Sequence, residues 1–289
     1  MSLNNFIPQV WSARVLATLD DALVYNQDGV VNRDHEGEIS GFGDTVKINS
    51  LGRVTVKSYT KNTDIDDPEP LTSAQQDLIV DQASYFNFQV DDVDKAQTQP
   101  KVMGQAMNDS GYELAASADT YTAGIMAAAA VASSNKIGTV ASPKADLGTP
   151  ANAYQYLVDL GVLLDEANTP SESRFCIAPS WFIGVLAKDG TYIVNATETG
   201  QQVRMNGMIG MVAGFRLMMS NRVPNTTSST GFRIVAGHRI ATSYAEQILD
   251  VKAYEPEKRF SEAVKGLHVY GAKVVRPSNL AVLIANRPS

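Results

Sequence analysis

The residues that could perform acid–base or metal chemistry are scattered along the chain. Three histidines, His35, His238 and His268, lie far apart and lack ligand spacing with cysteine or carboxylates. The single cysteine, Cys176, has no partner for an internal disulfide and is compatible with a reducing compartment. These residue types therefore favour ordinary structural positions over a metal site or a histidine-based active site.

Two further patterns could carry chemistry, and each has a simpler explanation. Ser58 and Lys61 match the S-x-x-K string of penicillin-recognising enzymes, but here the string ends a predicted strand and its partner motifs are missing. Asp91, Asp92 and Asp94 could hold Mg²⁺ or Ca²⁺, although they precede a predicted helix whose positive end would also favour them. We prefer the second interpretation. The sequence thus predicts no enzyme, with no catalytic residue, no metal and no cofactor.

Composition narrows the class of protein. The 289 residues carry a formal charge of −7, so the chain lacks the basic footprint of a nucleic-acid binder. Charged residues make up 19%, below the ~25% of a typical soluble domain, which suits a subunit covered by neighbours. The most apolar stretch, 125–132, is far shorter than the ~20 residues that cross a bilayer. Since no secretion-signal pattern follows Met1, we expect a soluble protein made in the cytoplasm, away from membranes.

The first part of the chain predicts an arm followed by a hairpin. Apolar residues at helical spacing predict an amphipathic helix at 12–24, and Trp11 before it suggests packing against another surface. From 41 to 59 the apolar period becomes two and predicts a β-hairpin that turns at Gly52. Because two strands alone are marginally stable, and the following stretch 61–70 is acidic and exposed, the hairpin needs an outside partner.

The rest of the chain predicts a long helix and a compact α/β region. A strand at 78–90 precedes a helix that continues to about residue 132, roughly 45 Å long. A linker rich in Gly, Pro and Ser at 133–150 marks the best subdomain boundary. The later predicted elements are a helix at 152–166, a strand at 174–178, a helix at 179–187, strands at 215–219 and 232–236, a helix at 241–248, and strands at 264–274 and 280–284.

The order of these elements resembles the Hong Kong 97-like fold of tailed-bacteriophage major capsid proteins. Several segments of the sequence also look like this family, and in this order they span nearly the whole chain. They are LNNFIP (3–8), WSAR (11–14), GDTVKI (43–48), YFNFQVDDVDKA (85–96), GF (214–215) with SN (220–221), and VRPSNL (275–280).

The resemblance implies an α+β fold with a defined division of the chain. The expected parts are an N-terminal arm (1–39), an E-loop that reaches over a neighbouring subunit (40–82), a peripheral (P) domain with a long spine helix (83–149), an α/β axial (A) domain (150–250), and C-terminal strands that return to the P domain (251–289).

The implied function is structural. Copies of the chain would self-assemble as hexamers and pentamers into an icosahedral head shell that encloses double-stranded DNA without sequence-specific binding. A separate scaffolding protein and a portal are the expected partners, with assembly in the bacterial host cytoplasm and a final location in the virion. An encapsulin-type nanocompartment shell protein, which shares the fold, is the nearest alternative. A hydrolase or a binding protein that uses the axial region is a more distant one.

Charge patterning predicts where subunits meet. Segment 61–94 has nine acidic residues and one basic residue, whereas 251–289 has seven basic and three acidic residues. In the implied fold, the tip of one E-loop lies over the C-terminal strands of a neighbour. Some relatives join an E-loop lysine to a P-domain asparagine covalently, but no base carboxylate for such a bond is identifiable here, so non-covalent locking is favoured. The predicted contact residues are Trp11, Lys57, Lys61, Asp64, Asp66, Asp67, Lys258, Arg259 and Arg276.

Overall fold

A computed structural model of the chain describes residues 18, 23–34, 42–51, 58, 61, 64, 73–91, 101–188, 210–226, 230–254, 256 and 261–288. Two short 3₁₀ turns, Arg239–Ala241 and Pro277–Asn279, accompany the helices and strands. In chain order the helices and strands are β1 (Thr45–Leu51), β2 (Ser73–Ile79), β3 (Gln82–Asp91), α1 (Lys101–Ala132), β4 (Lys136–Ile137), α2 (Pro150–Glu166), β5 (Arg174–Ala178), α3 (Ser180–Ala187), β6 (Met211–Val212), β7 (Phe215–Met219), β8 (Phe232–His238), β9 (Thr242–Tyr254), β10 (Ser261–Val274) and β11 (Leu280–Ala285).

The largest sheet has six strands in the order β4-β11-β8-β5-β7-β6. Since side chains alternate along a strand, Phe175 and Ile177 of β5 join the core on the α1 side, while Cys176 and Ala178 join the core formed with α2 and α3. Both faces of the sheet are therefore covered. Every residue of β5 and β11 is buried, which explains why these strands are nearly continuous apolar runs.

Helix α1 confirms the long helix predicted from the sequence. Its 32 residues span about 48 Å at ~1.5 Å per residue. Small side chains dominate its buried side, so the sheets can approach the helix closely. The buried alanines are Ala115, Ala118, Ala123, Ala127 and Ala130.

A second, three-stranded sheet has the order β3-β10-β9, and all of its strands are antiparallel. Phe86 and Phe88 of β3 pack against the α1 core, with ring centroids 6.1 Å apart. Gly266 of β10 lies opposite Phe86, and a Cβ atom there would come within 2.4 Å of the Phe86 ring. The phenylalanine ring thus occupies the space that a side chain at residue 266 would need.

The predicted hairpin differs from the pairing found in the structure. Strand β1 pairs with β2 in seven antiparallel residue pairs from Thr45↔Ile79 to Leu51↔Ser73, whereas Val54 and Val56 lie outside the described residues. The connection between the paired strands is therefore much longer than a turn at Gly52. The predicted strand 78–90 is also divided, because β2 and β3 belong to different sheets.

The helix predicted at 241–248 is wrong. This segment enters strand β9, which pairs with β10 from Thr242↔Val274 to Tyr254↔Ala263. Tyr244 packs in the α1 core and Ala245 packs against the β1–β2 sheet, so consecutive residues are buried on opposite faces of the strand. Burial on both faces gave the segment an apolar spacing similar to that of a helix. Pairing with β10 makes it a strand instead.

The other predicted elements of the second half agree with the structure to within a few residues. Residues 250 and 251, on either side of one predicted boundary, both lie inside β9. The C-terminal strands also separate: β10 joins the three-stranded sheet, while β11 lies inside the six-stranded sheet between β4 and β8.

Candidate subunit-contact surfaces

Three of the nine predicted contact residues are described by the structure. Lys61 and Asp64, both between β1 and β2 in sequence, are exposed, and so is Arg276, which directly precedes the turn Pro277–Asn279. The Arg276 backbone N–H donates to the Ala241 carbonyl oxygen at 3.0 Å. This bond fixes the backbone from which the Arg276 side chain extends, just after β10. The other six lie outside the described residues: Trp11, Lys57, Asp66, Asp67, Lys258 and Arg259.

The acidic and basic segments meet partly within one chain. Strand β3, from the acidic segment, pairs with β10, from the basic segment, between Gln82↔Tyr270 and Asp91↔Ser261. Lys265 of β10 lies opposite Asn87, with its Nζ 5.0 Å from the centroid of the Tyr254 ring. Sequence reasoning assigned this charge pattern entirely to contacts between subunits. Asp64 of the acidic segment is exposed.

An open groove of about 620 Å³ runs between β3 and α1. Residues 83–87 of β3 form one wall, and Asp109 and Glu113, one helical turn apart on α1, lie on the other. Both carboxylate side chains are exposed, and Tyr85 is 76% exposed. Among the described strands, β3 pairs only with β10. β3 is therefore an edge strand of this sheet as far as the chain is described.

Sequence reasoning missed a buried carboxylate in the middle of α1. Asp119 is fully buried, and its oxygens accept hydrogen bonds from the backbone N–H groups of Val24, Tyr25 and Asn26 at 2.8, 3.1 and 3.2 Å. Nη1 of Arg222 lies 3.9 Å from Oδ2. Burial raises the pKa of Asp119 to about 6, although the three hydrogen bonds and the Arg222 charge act in the opposite direction.

A second carboxylate, Glu246, is partly buried on β9. Its oxygens accept hydrogen bonds from the Tyr244 hydroxyl at 2.6 Å and from Arg33, and His268 Nε2 lies 3.0 Å away. Burial opposes ionisation, but the hydrogen bonds of His268 and Tyr244 and the charges of His268 and Arg33 outweigh it and lower the pKa of Glu246.

The histidines occupy structural positions where they are described. His268 is fully buried beside Glu246, and Nδ1 of His238 accepts a hydrogen bond from the Ile240 N–H at 3.2 Å. His35 lies outside the described residues. In the described part of the chain, no group of three or more His, Cys, Asp or Glu side chains is arranged to hold a metal ion. None of the helices described there is long and apolar enough to span a membrane.

The sequence did contain a signal for Asp119. It lies four residues from both Ala115 and Ala123, so it shares the buried face of α1 with them. A single acid on an apolar helix face predicts a buried partner. The identity of that partner is not readable from α1, because the three donors are backbone N–H groups more than 90 residues away.

Comparison with known proteins gives a consistent result. A family model described as "Phage capsid protein" matches residues 76–283. A solved structure from Mycobacterium phage Che8 is similar with a TM-score of 0.70 and 27% identity, covering 87% of this chain and 88% of that chain. The capsid structure of cyanophage P-SCSP1u has the same TM-score at 19% identity, covering 92% of this chain and 89% of the other.

A likeness to a different kind of particle is weaker. A virus-like particle from Pyrococcus furiosus has a TM-score of 0.52 and 12% identity, covering 98% of this chain and 100% of that chain. At that identity the likeness shows a shared fold alone. A search of curated proteins found no match.

Proposed function

This chain belongs to the phage capsid protein family, and from this premise we propose how its parts build a shell. It is a structural major capsid protein, and its copies assemble into the multimeric capsid of a virion. The family match over 76–283 carries this conclusion and favours it over the nanocompartment alternative. The finer proposals below concern the division of the chain, its partners and its subunit contacts.

The proposed division follows the family architecture. Residues 1–39 form the N-terminal arm, 40–82 the E-loop, 83–149 the P domain with α1 as its spine helix, and 150–250 the A domain. The paired strands β1 and β2 support the E-loop assignment, because they form a separate sheet with a small buried cluster. Within 251–289, β10 supports the proposed return to the P domain, since it contacts α1 and pairs with β3.

The proposed assembly is an icosahedral head built from hexamers and pentamers around double-stranded DNA. The formal charge of −7 supports a container that makes no sequence-specific DNA contacts. A separate scaffolding protein and a portal complete the proposed set of partners. Assembly takes place in the bacterial host cytoplasm.

The proposed contacts between subunits are electrostatic at the E-loop tip. Asp64, Asp66 and Asp67 of one copy approach a basic surface of its neighbour that includes Lys258, Arg259 and Arg276. Opposite fields of this kind steer association and fix register more than they add affinity. Trp11, Lys57 and Lys61 are further proposed contact residues on the arm and the E-loop.

Locking of the shell is proposed to be non-covalent. The asparagine that would suit a bond to Lys57 or Lys61 is Asn279, which is buried and whose Oδ1 accepts a hydrogen bond from the Thr169 hydroxyl at 3.3 Å. A buried, bonded amide is poorly placed for attack by a lysine of another copy.

Electron microscopy of the purified full-length protein tests the proposed assembly. We expect closed icosahedral particles with visible five-fold and six-fold capsomers. Particles that contain a co-purifying enzyme would support the nanocompartment alternative instead. A protein that stays monomeric under all assembly conditions and hydrolyses or binds a small molecule would contradict the proposal. It would support the alternative of a hydrolase or a binding protein.

A further inference from the structure

Segment 23–34 lies between the buried carboxylate of Asp119 and the partly buried carboxylate of Glu246. We propose that Asp119 and Glu246 form a clamp that fixes the backbone of this segment in one register against the body of the subunit. Asp119 is the principal positioning residue of the clamp.

Asp119 controls the backbone at the start of the segment. Three successive N–H groups, those of Val24, Tyr25 and Asn26, converge on one carboxylate, as in the anion-binding nests formed by consecutive amides. No other acceptor for these three amides occurs among the described residues. Tyr25 and Asn26 are fully buried, so water does not replace the carboxylate as their acceptor.

Glu246 controls the other end of the segment. Tyr244 and His268 hold the Glu246 carboxylate from within the three-stranded sheet, so Arg33 meets an acceptor whose position is already set. The backbone beside Arg33 is fixed as well. Asn32 N–H donates to the Thr242 carbonyl oxygen at 2.8 Å, and Tyr244 N–H donates to the Asn32 carbonyl oxygen at 2.9 Å.

Apolar burial between the two ends holds the segment but does not fix its register. Leu23, Tyr25, Val30 and Val31 all belong to the α1 core, and such packing is largely non-directional. A shift by one residue would keep apolar groups buried, yet it would move the three N–H donors away from Asp119. An ionised buried carboxylate without donors is strongly unfavourable. The carboxylates, together with the backbone bonds of Asn32 to Thr242 and Tyr244, therefore select one path for the backbone.

Hydrogen exchange on unassembled full-length subunits tests the clamp without depending on the capsid function. In Asp119→Ala we expect amides 24–26 to exchange at least tenfold faster, while amides of β5 and β11 keep their rates. Asp119→Asn should give a smaller increase, because its amide oxygen still accepts hydrogen bonds. Asp109→Ala, an exposed acid on the same helix, is the matched control and should leave both regions unchanged.

The position of the segment has its own readout. Spin labels at Asp28→Cys and Ser134→Cys, both exposed, should give a narrow distance distribution in the parent and a broad one in Asp119→Ala. Arg33→Met should broaden it less, since it opens only the second end. Unchanged exchange at 24–26 with an unchanged distribution would overturn the clamp, and so would an equal loss of protection in β5 and β11. An intact clamp in a protein that forms no particles would contradict the proposed function alone.

Discussion

The six-stranded sheet and the two-stranded β1–β2 sheet obtain their stability in different ways. The larger sheet is covered by α1 on one face and by α2 and α3 on the other, all within one subunit. The smaller sheet contributes Val46 and Leu78 to a cluster of five buried residues that also includes Ala245 and Val269 of the three-stranded sheet. Ile79 of β2 is 52% exposed. The first region is complete in the monomer, whereas the second has apolar surface to cover. A shell protein can thus fold before it assembles and keep its outer strands for its neighbours.

The largest expected effect compares two fully buried leucines, one in each region. Leu283→Ala in β11 should reduce the free energy of unfolding by about 2–5 kcal/mol, because both faces of that sheet are packed. Leu78→Ala in β2 should mainly increase hydrogen exchange in 45–51 and 73–79, with a much smaller change in global unfolding. Urea denaturation of unassembled subunits, followed by exchange, measures both. Equal global losses for the two variants would break the comparison.

The three-stranded sheet joins the two regions, and its packing can be tested at one glycine. Gly266→Ala places a Cβ atom against the Phe86 ring, so we expect a loss of about 1–3 kcal/mol in the free energy of unfolding. Phe86→Leu alone should also be destabilising. In the double variant the smaller side chain makes room for the new methyl group, and the combined loss should be less than the sum. Strict additivity in this double-mutant cycle would show that the two residues do not compete for space.

The sequence predicts the elements that have a continuous local pattern better than it predicts pairing between distant segments. Strands β5 and β11, together with α1 and α2, carry local patterns that continue through the element, so their positions were predictable. The partner of β1 was not, because Val54 and Val56 offered a nearby match while the strand that pairs with it begins at Ser73. β9 was mistaken for a helix because both of its faces are buried. The acceptor role of Asp119 depended on distant backbone amides, which no local pattern reveals.

Asp119 and Glu246 should change the stability of the subunit in opposite directions as the pH changes. Burial raises the pKa of Asp119 to about 6, so protonation favours the folded state and stability falls as the pH rises through that value. Between pH 5 and 7 the expected loss is about 1 kcal/mol. The lowered pKa of Glu246 instead contributes stability that is lost only as the pH falls below the usual carboxyl range, near 4.5.

The free energy of unfolding of unassembled subunits at pH 5, 6 and 7 measures this effect. Asp119→Asn should remove most of the slope in this window, while Glu246→Gln should leave it in place. A parent protein whose stability rises steadily from pH 5 to 7 would contradict the sign given for Asp119. This pH effect distinguishes the two regions, because Asp119, with its pKa of about 6, is buried on α1 and not in the β1–β2 sheet.

The smallest effect concerns the acidic tip between β1 and β2, where the outer region is proposed to meet a neighbour. Exposed ion pairs contribute only about 0–1 kcal/mol each, so changing Asp64, Asp66 and Asp67 to Asn should leave subunit stability unchanged. We expect slower assembly at low salt and little difference at high salt, since the field is screened beyond about 10 Å at 0.1 M. Light scattering across a salt series measures the rate.

A control with Asp159→Asn, Glu166→Gln and Glu172→Gln makes the same change in charge on exposed residues in and after α2. If both triple variants assemble at the parent rate at every salt concentration, the tip carries no steering field and its proposed role is wrong.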